Sequence, residues 1–207
     1  MLPSVCNIPD LLLLFDGFRM TATTPKSLYS FEEYLEHNDP DNRYELVDGK
    51  LELMNPPTFR HILICDFIRD AFKAEIDRLQ LPWLAMREGG IRTGWRKSRI
   101  ADVYVVKKEQ IVDSLDESGV LETSPLLVIE VVSPESIKRD YRYKRSEYAA
   151  LGIDEYWIVD PMQQQVTILV LNEGLYDETV FTSNSSLVST VFAEIKLTPR
   201  QIFTAQV

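Results

Sequence analysis

The feature that most constrains this chain is an apolar run at residues 126–132 that is interrupted by a single carboxylate, Glu130. An apolar run without polar alternation is typical of a strand that is covered on both faces. A glutamate in such a strand is costly to bury unless it is paired, hydrogen-bonded or bound to a cation. The run therefore predicts a packed sheet with a polar site inside it, or else a buried ion pair that serves the fold alone.

Three further charged side chains accompany this strand. Asp102 lies in a second apolar segment, residues 100–106, which predicts another strand. Asp140 and Lys144 lie four residues apart in residues 136–151, which predict a helix. Taken singly, Asp102 is typical of an edge strand that faces water, and the Asp140–Lys144 pair is typical of a surface ion pair of little energetic worth.

The combination indicates a metal centre. Carboxylates that lie close together repel one another unless a cation sits between them. A Mg²⁺ ion would relieve that repulsion, bind a phosphate oxygen and lower the pKa of a bound water, and Lys144 could position the water or stabilise charge on phosphorus. The chain has only two histidines, His37 and His61, so we expect oxygen ligands and a hard cation.

The composition argues against several other classes of protein. A formal net charge of −10 argues against a protein that coats nucleic acid, because phosphate binding depends on cations, although a local basic cleft is compatible with it. The two cysteines, Cys6 and Cys65, indicate no disulfide framework or zinc motif, which favours a reducing compartment such as the cytoplasm. The apolar residues 11–15 are too few to span a bilayer, so we expect no membrane partner.

We expect a single domain over residues 20–207, because the chain shows no linker and no internal repeat. Met20 opens a polar segment and is a candidate natural start, which would make residues 1–19 a translated upstream extension. The alternative, that residues 1–19 dock on the domain surface or on a partner, stays open.

The order of the predicted elements favours a mixed α/β fold of the α+β kind, with one central mixed β-sheet flanked by helices. Ser30 and Glu33 have the spacing of a capping box before a short helix at 31–37. Asp48-Gly49 is a strong hairpin signal, and apolar residues at helical spacing predict a long helix over 59–79. Later segments predict strands at 83–87, 90–93, 156–160, 165–171 and 176–181, and a last helical turn at 198–203.

Basic clusters flank the candidate acids. One occupies residues 92–99, which contain no acid, include Trp95, and supply Arg92, Arg96, Lys97 and Arg99. The other surrounds Asp140 and includes Arg142. Basic side chains with an interleaved aromatic suit a phosphate backbone and a stacked base, and the alternative is a solvated loop and helix face. His61 is a candidate to aid proton transfer or support the site, or else a surface or capping histidine.

These residues carry a resemblance to a known family. The chain resembles the PD-(D/E)XK nuclease superfamily, which has the restriction-endonuclease-like fold. More closely, it resembles the bacterial family of restriction endonucleases that carries the Uma name. The resemblance runs from about Ser30 to Val170 and rests on residues 44–49, 100–103, 128–134, 140 with 144 and 148, and 152–161.

The resemblance implies a metal-dependent phosphodiesterase. Asp102 and Glu130 would be metal ligands, and Glu45 would be an extra acidic ligand or a partner of a metal-bound water. Lys144 would be the catalytic lysine, displaced from the strand to the helix, and Asp140 would orient it. With Lys144, the three acidic ligands make up the implied catalytic set.

Two departures from the superfamily pattern bear on activity. Ala101 stands where the superfamily motif has proline, which should affect backbone shape more than chemistry. Val132 stands where the superfamily lysine usually lies, so an active core requires Lys144 to reach the site from the following helix.

The leading hypothesis is an endonuclease that uses Mg²⁺, with Mn²⁺ able to substitute, to cut DNA. We expect a homodimer, which would bring two clefts together to cut both strands. The alternative is a nuclease-like fold that binds nucleic acid or a protein partner without cutting, which Val132 and the net charge favour. A weaker third hypothesis, a two-carboxylate glycoside hydrolase, requires an open sugar cleft that the sequence does not identify.

Overall fold

The fold is that of a computed structural model, which describes residues 28–37 and 39–205. The predicted extension at residues 1–19, together with Met20, lies outside the described residues. None of the helices in the described part combines the length and the apolarity that a membrane span requires.

The α-helices of the described part are α1 (Phe31–Leu35), α2 (Phe59–Leu79), α3 (Arg145–Leu151) and α4 (Pro199–Phe203). A 3₁₀ turn forms at Lys108–Gln110 and a π-helical turn at Arg139–Lys144. The predicted capping box is confirmed, since Ser30 Oγ accepts from the Glu33 amide and the Glu33 carboxylate accepts from the Ser30 amide. The long helix α2 has the predicted bounds.

One sheet has six strands and forms the centre of the fold. Its order is β11-β10-β9-β8-β6-β3, and only the β8–β9 pair is parallel. The strands are β3 (Trp83–Arg87), β6 (Val103–Lys107), β8 (Leu127–Val131), β9 (Glu155–Asp160), β10 (Gln165–Asn172) and β11 (Leu175–Thr182).

A second sheet has five strands in the order β2-β1-β5-β4-β7. They are β1 (Tyr44–Val47), β2 (Lys50–Leu53), β4 (Gly90–Gly94), β5 (Lys97–Ile100) and β7 (Val120–Leu121). The predicted hairpin joins β1 and β2, with φ of 49° at Asp48 and 82° at Gly49. Two positive φ values are what a tight type I′ turn requires.

The expected single sheet is thus two sheets in the described residues, and the chain changes from one sheet to the other five times. The predicted strand at 100–106 is broken at Ala101-Asp102, so that β5 belongs to one sheet and β6 to the other. The chain also changes sheets between β3 and β4, where the Glu88 amide donates to the Ala101 carbonyl and the Ala101 amide to the Gly89 carbonyl. Asp102 therefore lies at the seam of the two sheets.

The six-stranded sheet is covered on both faces, as the apolar run of β8 predicts. On one face, Ile129 and Val131 pack in a cluster with α2 that includes Phe72 and Trp157. On the other face, Val128 packs in a cluster with Tyr148 of α3. Because side chains alternate along a strand, Glu130 points to the face of Val128, towards the helical segment that follows β8.

Candidate active site

Glu130 lies on β8 and is only 2% exposed. Tyr148 Oη donates a hydrogen bond of 2.7 Å to Glu130 Oε1, and Lys144 Nζ lies 2.8 Å from Glu130 Oε2. Burial raises the pKa of Glu130 to about 8; the charge of Lys144 opposes this shift, and the charges of Asp102 and Asp140 add to it. The charge of Lys144 therefore does not fully offset the effect of burial on the pKa of Glu130.

Lys144, at the end of the π-helical turn, does reach this site. Its ammonium donates a 2.9 Å hydrogen bond to the Ile100 carbonyl and lies 3.2 Å from Glu45 Oε1, besides its contact with Glu130. Burial disfavours the ammonium, but the charges of Glu130 and Glu45 outweigh burial and raise the pKa of Lys144. Lys144 is therefore a protonated, buried cation at neutral pH.

Asp140 differs from its predicted role as the residue that orients Lys144. Both residues lie in the π-helical turn from Arg139 to Lys144 and not in a regular α-helix. Ser136 Oγ donates to Asp140 Oδ2, whereas the buried Asp140 Oδ1 has no hydrogen-bond partner among the described residues. Burial raises the pKa of Asp140. Direct contacts from Glu130, Glu45 and a backbone carbonyl hold Lys144 instead.

A hydrogen bond from the backbone holds Asp102 beside Glu130. The Val131 amide donates a 2.7 Å hydrogen bond to Asp102 Oδ2, and His61 Nε2 lies 3.1 Å from Asp102 Oδ1. Burial acts to raise the pKa of Asp102, but His61, the charge of Lys144 and the Val131 amide together hold it below its usual value. Because Val131 follows Glu130 directly, the two predicted metal ligands lie at one place in the fold.

His61 lies in the first turn of α2. Thr58 caps this helix by accepting from the His61 amide at 3.2 Å, and the His61 side chain points to Asp102. Cys65 follows one turn later and is fully buried, and burial raises the pKa of its thiol. His61, Cys65 and Asp102 form a group of potential metal ligands whose atoms all lie within 4.8 Å of one another.

Glu45 is held by cations rather than left free for a metal. It is fully buried and accepts hydrogen bonds from Arg99 Nη1 at 2.9 Å and from the Ile100 amide at 3.1 Å, in addition to its contact with Lys144. Burial opposes the ionised form, but Lys144 and Arg99 hold the pKa of Glu45 below its usual value. Its contacts favour a role in holding Lys144 over the predicted role as a metal ligand.

Arg99 differs from its predicted role in contacting nucleic acid. It is 2% exposed and forms a two-pronged ion pair with Glu147, with both N–O distances at 2.7 Å, besides its bond to Glu45. A guanidinium without these two acids would be costly to bury. Arg99 therefore supports Glu45 from inside the protein.

The other predicted DNA-contacting residues lie nearer the surface. Arg92 pairs with Glu122 at 2.6 Å, and Lys97 lies 3.2 Å from Asp48. Arg96 stacks over the ring of Trp95 at 5.4 Å, and Trp95 is 77% exposed. Arg142 is exposed on the π-helical turn. Trp95 and Arg142 are thus exposed, whereas Arg92, Arg96 and Lys97 are partly buried.

Arg139 lies at the site although the sequence pattern did not single it out. Its buried Nε has no hydrogen-bond partner in the part of the chain that the structure describes, and lies 3.7 Å from Asp140 Oδ1. Burial opposes its charge, but Glu45, Asp140, Glu130 and Asp102 raise its pKa. Its place in a basic run did not single it out, since the neighbouring basic residues look the same in the sequence. Cys65, by contrast, could have been found from its spacing of four residues to His61.

The side chains at the seam fit a hard divalent cation. Asp102 and Glu130 supply the oxygen donors that Mg²⁺ and Mn²⁺ prefer. Positive charge beside Glu130 would oppose the rise that burial causes in the pKa of this carboxyl group. His61 Nε2, next to Asp102, could support the same ion or hold the carboxylate that binds it.

The comparisons with known proteins agree with a nuclease fold. One solved structure, described as that of "a putative nuclease belonging to DUF820 from Anabaena variabilis", superposes with a TM-score of 0.71 at 18% identity and covers 84% of this chain and 97% of that chain. This confirms the predicted restriction-endonuclease-like fold. A search of curated proteins gave no match. The family model "Uma2: Putative restriction endonuclease" matches residues 31–200. The chain therefore belongs to the Uma2 family.

Proposed function

We propose that this protein is an endonuclease that hydrolyses phosphodiester bonds of DNA with Mg²⁺, for which Mn²⁺ can substitute. The observation that carries the proposal is the placement of Asp102, Glu130 and Lys144 at one seam. Asp102 accepts from the amide that follows Glu130, at 2.7 Å, and Glu130 contacts Lys144 at 2.8 Å. Paired carboxylates beside a buried ammonium suit an ion that binds phosphate.

Asp102 and Glu130 would hold the metal. When bound, the ion supplies Lewis-acid activation of the phosphate and a more acidic water. Lys144 is protonated at neutral pH because its pKa is raised, so it acts as a charge on the phosphate oxygens and not as a general base. Glu45 and the Ile100 carbonyl keep its ammonium at the site.

Arg139 is the residue best placed to bind the phosphate that is cut. Its side chain is 29% exposed and lies beside the acids of the site, and a guanidinium matches the geometry of phosphate oxygens. Arg96, Trp95 and Arg142 could extend the contact to neighbouring nucleotides, by charge and by stacking. At the place where the substrate binds, this basic and aromatic surface would counter the repulsion between DNA phosphates and a protein with a net charge of −10.

The test is cleavage of supercoiled plasmid DNA with Mg²⁺, with Mn²⁺ and with chelator. Glu130→Gln keeps the shape of the side chain and removes the carboxyl group that can ionise to bind a cation. The matched control is Glu109→Gln, because Glu109 is exposed and makes only a 3.6 Å surface pair with Lys107. We expect metal-dependent cleavage by wild type and control, and at least about a hundredfold loss in Glu130→Gln. Cleavage that survives in Glu130→Gln or in chelator would refute the proposal.

One observation favours the alternative, a module that binds nucleic acid or a protein partner without cutting. A lysine ammonium has three N–H donors, and Lys144 lies beside three protein acceptors: Glu130, Glu45 and the Ile100 carbonyl. Lys144 would then be wholly structural. This alternative predicts DNA or partner binding that does not change with Mg²⁺, and no cleavage under any metal condition.

A further inference from the structure

The cluster of His61, Cys65 and Asp102 contains a thiol, which the proposed nuclease chemistry does not use. His61 and Cys65 lie one turn apart on the same face of α2, and Asp102 faces them from the seam of the sheets. We propose that these three side chains form a binding site for a borderline-soft dication, Zn²⁺ in particular. The site shares Asp102 with the proposed Mg²⁺ site but takes its other ligands from α2.

The spacing of the three ligand atoms suits a tetrahedral ion. With Zn–N, Zn–O and Zn–S distances of about 2.0–2.3 Å, the ligand atoms around one zinc lie roughly 3.4–3.6 Å apart. In the structure, His61 Nε2 lies 3.1 Å from Asp102 Oδ1, and all three atoms lie within 4.8 Å. A small separation of His61 from Asp102 and a small approach of Cys65 would therefore complete the geometry.

The chemistry of the donors selects against the hard cation of the neighbouring site. A thiolate and an imidazole favour zinc over magnesium, which prefers carboxylate and water. The His61 and Asp102 side chains are 17% and 24% exposed, whereas Cys65 is fully buried. An ion can thus enter from the side of His61 and Asp102 and meet Cys65 at the buried end of the site. Three protein ligands leave the fourth coordination position of a tetrahedral ion open.

Occupation of this site has a regulatory consequence, which rests on the proposed function. Zinc bound to Asp102 Oδ1 neutralises that carboxylate and places a dication beside the proposed Mg²⁺ site. Mg²⁺ is then repelled by the zinc and loses the full charge of one of its two carboxylate ligands. Zinc is therefore an inhibitor of the Mg²⁺-dependent reaction, and the inhibition depends on Cys65.

Co²⁺ tests the site without any need for cleavage, because a thiolate ligand gives a near-ultraviolet charge-transfer band and a tetrahedral site gives visible bands. All proteins carry Cys6→Ser, so that Cys65 is their only thiol. The variants are Cys65→Ala, Cys65→Val, which better preserves the core volume, and Glu130→Gln as the control for the Mg²⁺ site. Thermal melts establish that each variant is folded.

We expect the charge-transfer band in the parent and in Glu130→Gln, its loss on addition of Zn²⁺, and its absence from both Cys65 variants. Zn²⁺ affinity should fall by more than about tenfold in those variants, since even outer partners of metal ligands are worth that much. A folded parent without the band, or a band that persists in both Cys65 variants, would overturn the site.

Cleavage assays then separate this inference from the proposed function. Each protein's rate with Zn²⁺ is compared with its own zinc-free rate in Mg²⁺. Inhibition of the parent that is relieved in Cys65→Val supports the regulatory role, and equal inhibition of both overturns it. A Co²⁺ band in a protein that never cleaves DNA would leave the zinc site standing and refute the nuclease.

Discussion

Replacing Lys144 by methionine keeps the length of the side chain and removes its ammonium group. In the wild type this group lies between two buried carboxylates, at 2.8 Å from Glu130 and 3.2 Å from Glu45. The variant leaves Glu130 with its hydrogen bond from Tyr148, and leaves Glu45 with Arg99. The free energy of unfolding should therefore fall, by an amount that depends on the ionisation of Glu130.

The pH dependence follows from the pKa of Glu130, which burial raises to about 8. A carboxyl group whose pKa is raised on folding stabilises the fold below its unfolded pKa, and this contribution is lost as the pH rises through the folded value. In the wild type the loss is complete just above pH 8. Without Lys144 the pKa of Glu130 rises further, so stability keeps falling at about 1.4 kcal/mol per pH unit.

Near pH 7, Lys144→Met should lower the free energy of unfolding by about 2 kcal/mol. Glu130 holds its proton in both proteins at this pH, so the loss comes mainly from the missing contact between Lys144 and Glu45. Near pH 9.5 the substitution should lower the free energy of unfolding by about 4 kcal/mol, because the stability of the variant falls by roughly 2 kcal/mol more than that of the wild type between the two pH values. That total lies within the roughly 3–5 kcal/mol that removal of one partner from a buried ion pair costs.

The assay is urea denaturation in chelator near pH 7 and near pH 9.5, followed by tryptophan fluorescence, to which the buried Trp157 contributes. The control is the same substitution in a Glu130→Gln background, where residue 130 cannot ionise and the growth with pH should vanish. The reasoning is refuted if Lys144→Met costs the same at both pH values, or if the growth persists in the double variant.

Other predictions follow from the same contacts. Asp102→Asn keeps an acceptor for the Val131 amide, so the fold should melt within a few degrees of wild type while plasmid cleavage falls at least about a hundredfold. Arg139→Gln should raise KM and flatten the salt dependence of DNA binding, measured by fluorescence anisotropy, with little change in thermal stability. Arg99→Met leaves Glu45 and Glu147 without their shared cation, and should cost about 3–5 kcal/mol in urea denaturation. Light scattering should give the mass of a dimer, and a strict monomer would count against paired clefts.

Much of the fold could be predicted from the sequence because its signals are local. The Asp48-Gly49 turn, the cap at Ser30 and the apolar spacing of α2 each depend on a few neighbouring residues, and the structure confirms all three. The burial of β8 on both faces followed from its apolar run, which only Glu130 interrupts.

The division into two sheets could not be predicted from local signals. Residues 97–107 are a nearly continuous β-forming stretch, and the break at Ala101-Asp102 exists because their hydrogen bonds go to Glu88 and Gly89, on a distant segment. The π-helical turn at Arg139–Lys144 is likewise a product of packing.

The candidate site was found in outline but not in its contacts. Glu130, Asp102 and Lys144 do converge, since a buried strand must be covered by the helical segment that follows it. The pairing of Arg99 with Glu45 and Glu147 was missed because a basic residue in an acid-free stretch looks solvent-exposed until its distant partners are known.

The most direct test of the central claim is calorimetric titration with Mn²⁺, for wild type and for Glu130→Gln, in the presence of a short DNA duplex with uncleavable linkages. We expect the wild type to bind a divalent ion and the variant to bind it at least about tenfold more weakly, because Glu130 is one of the two proposed carboxylate ligands. Equal Mn²⁺ binding in the two proteins, or none in the wild type with DNA present, would contradict this claim.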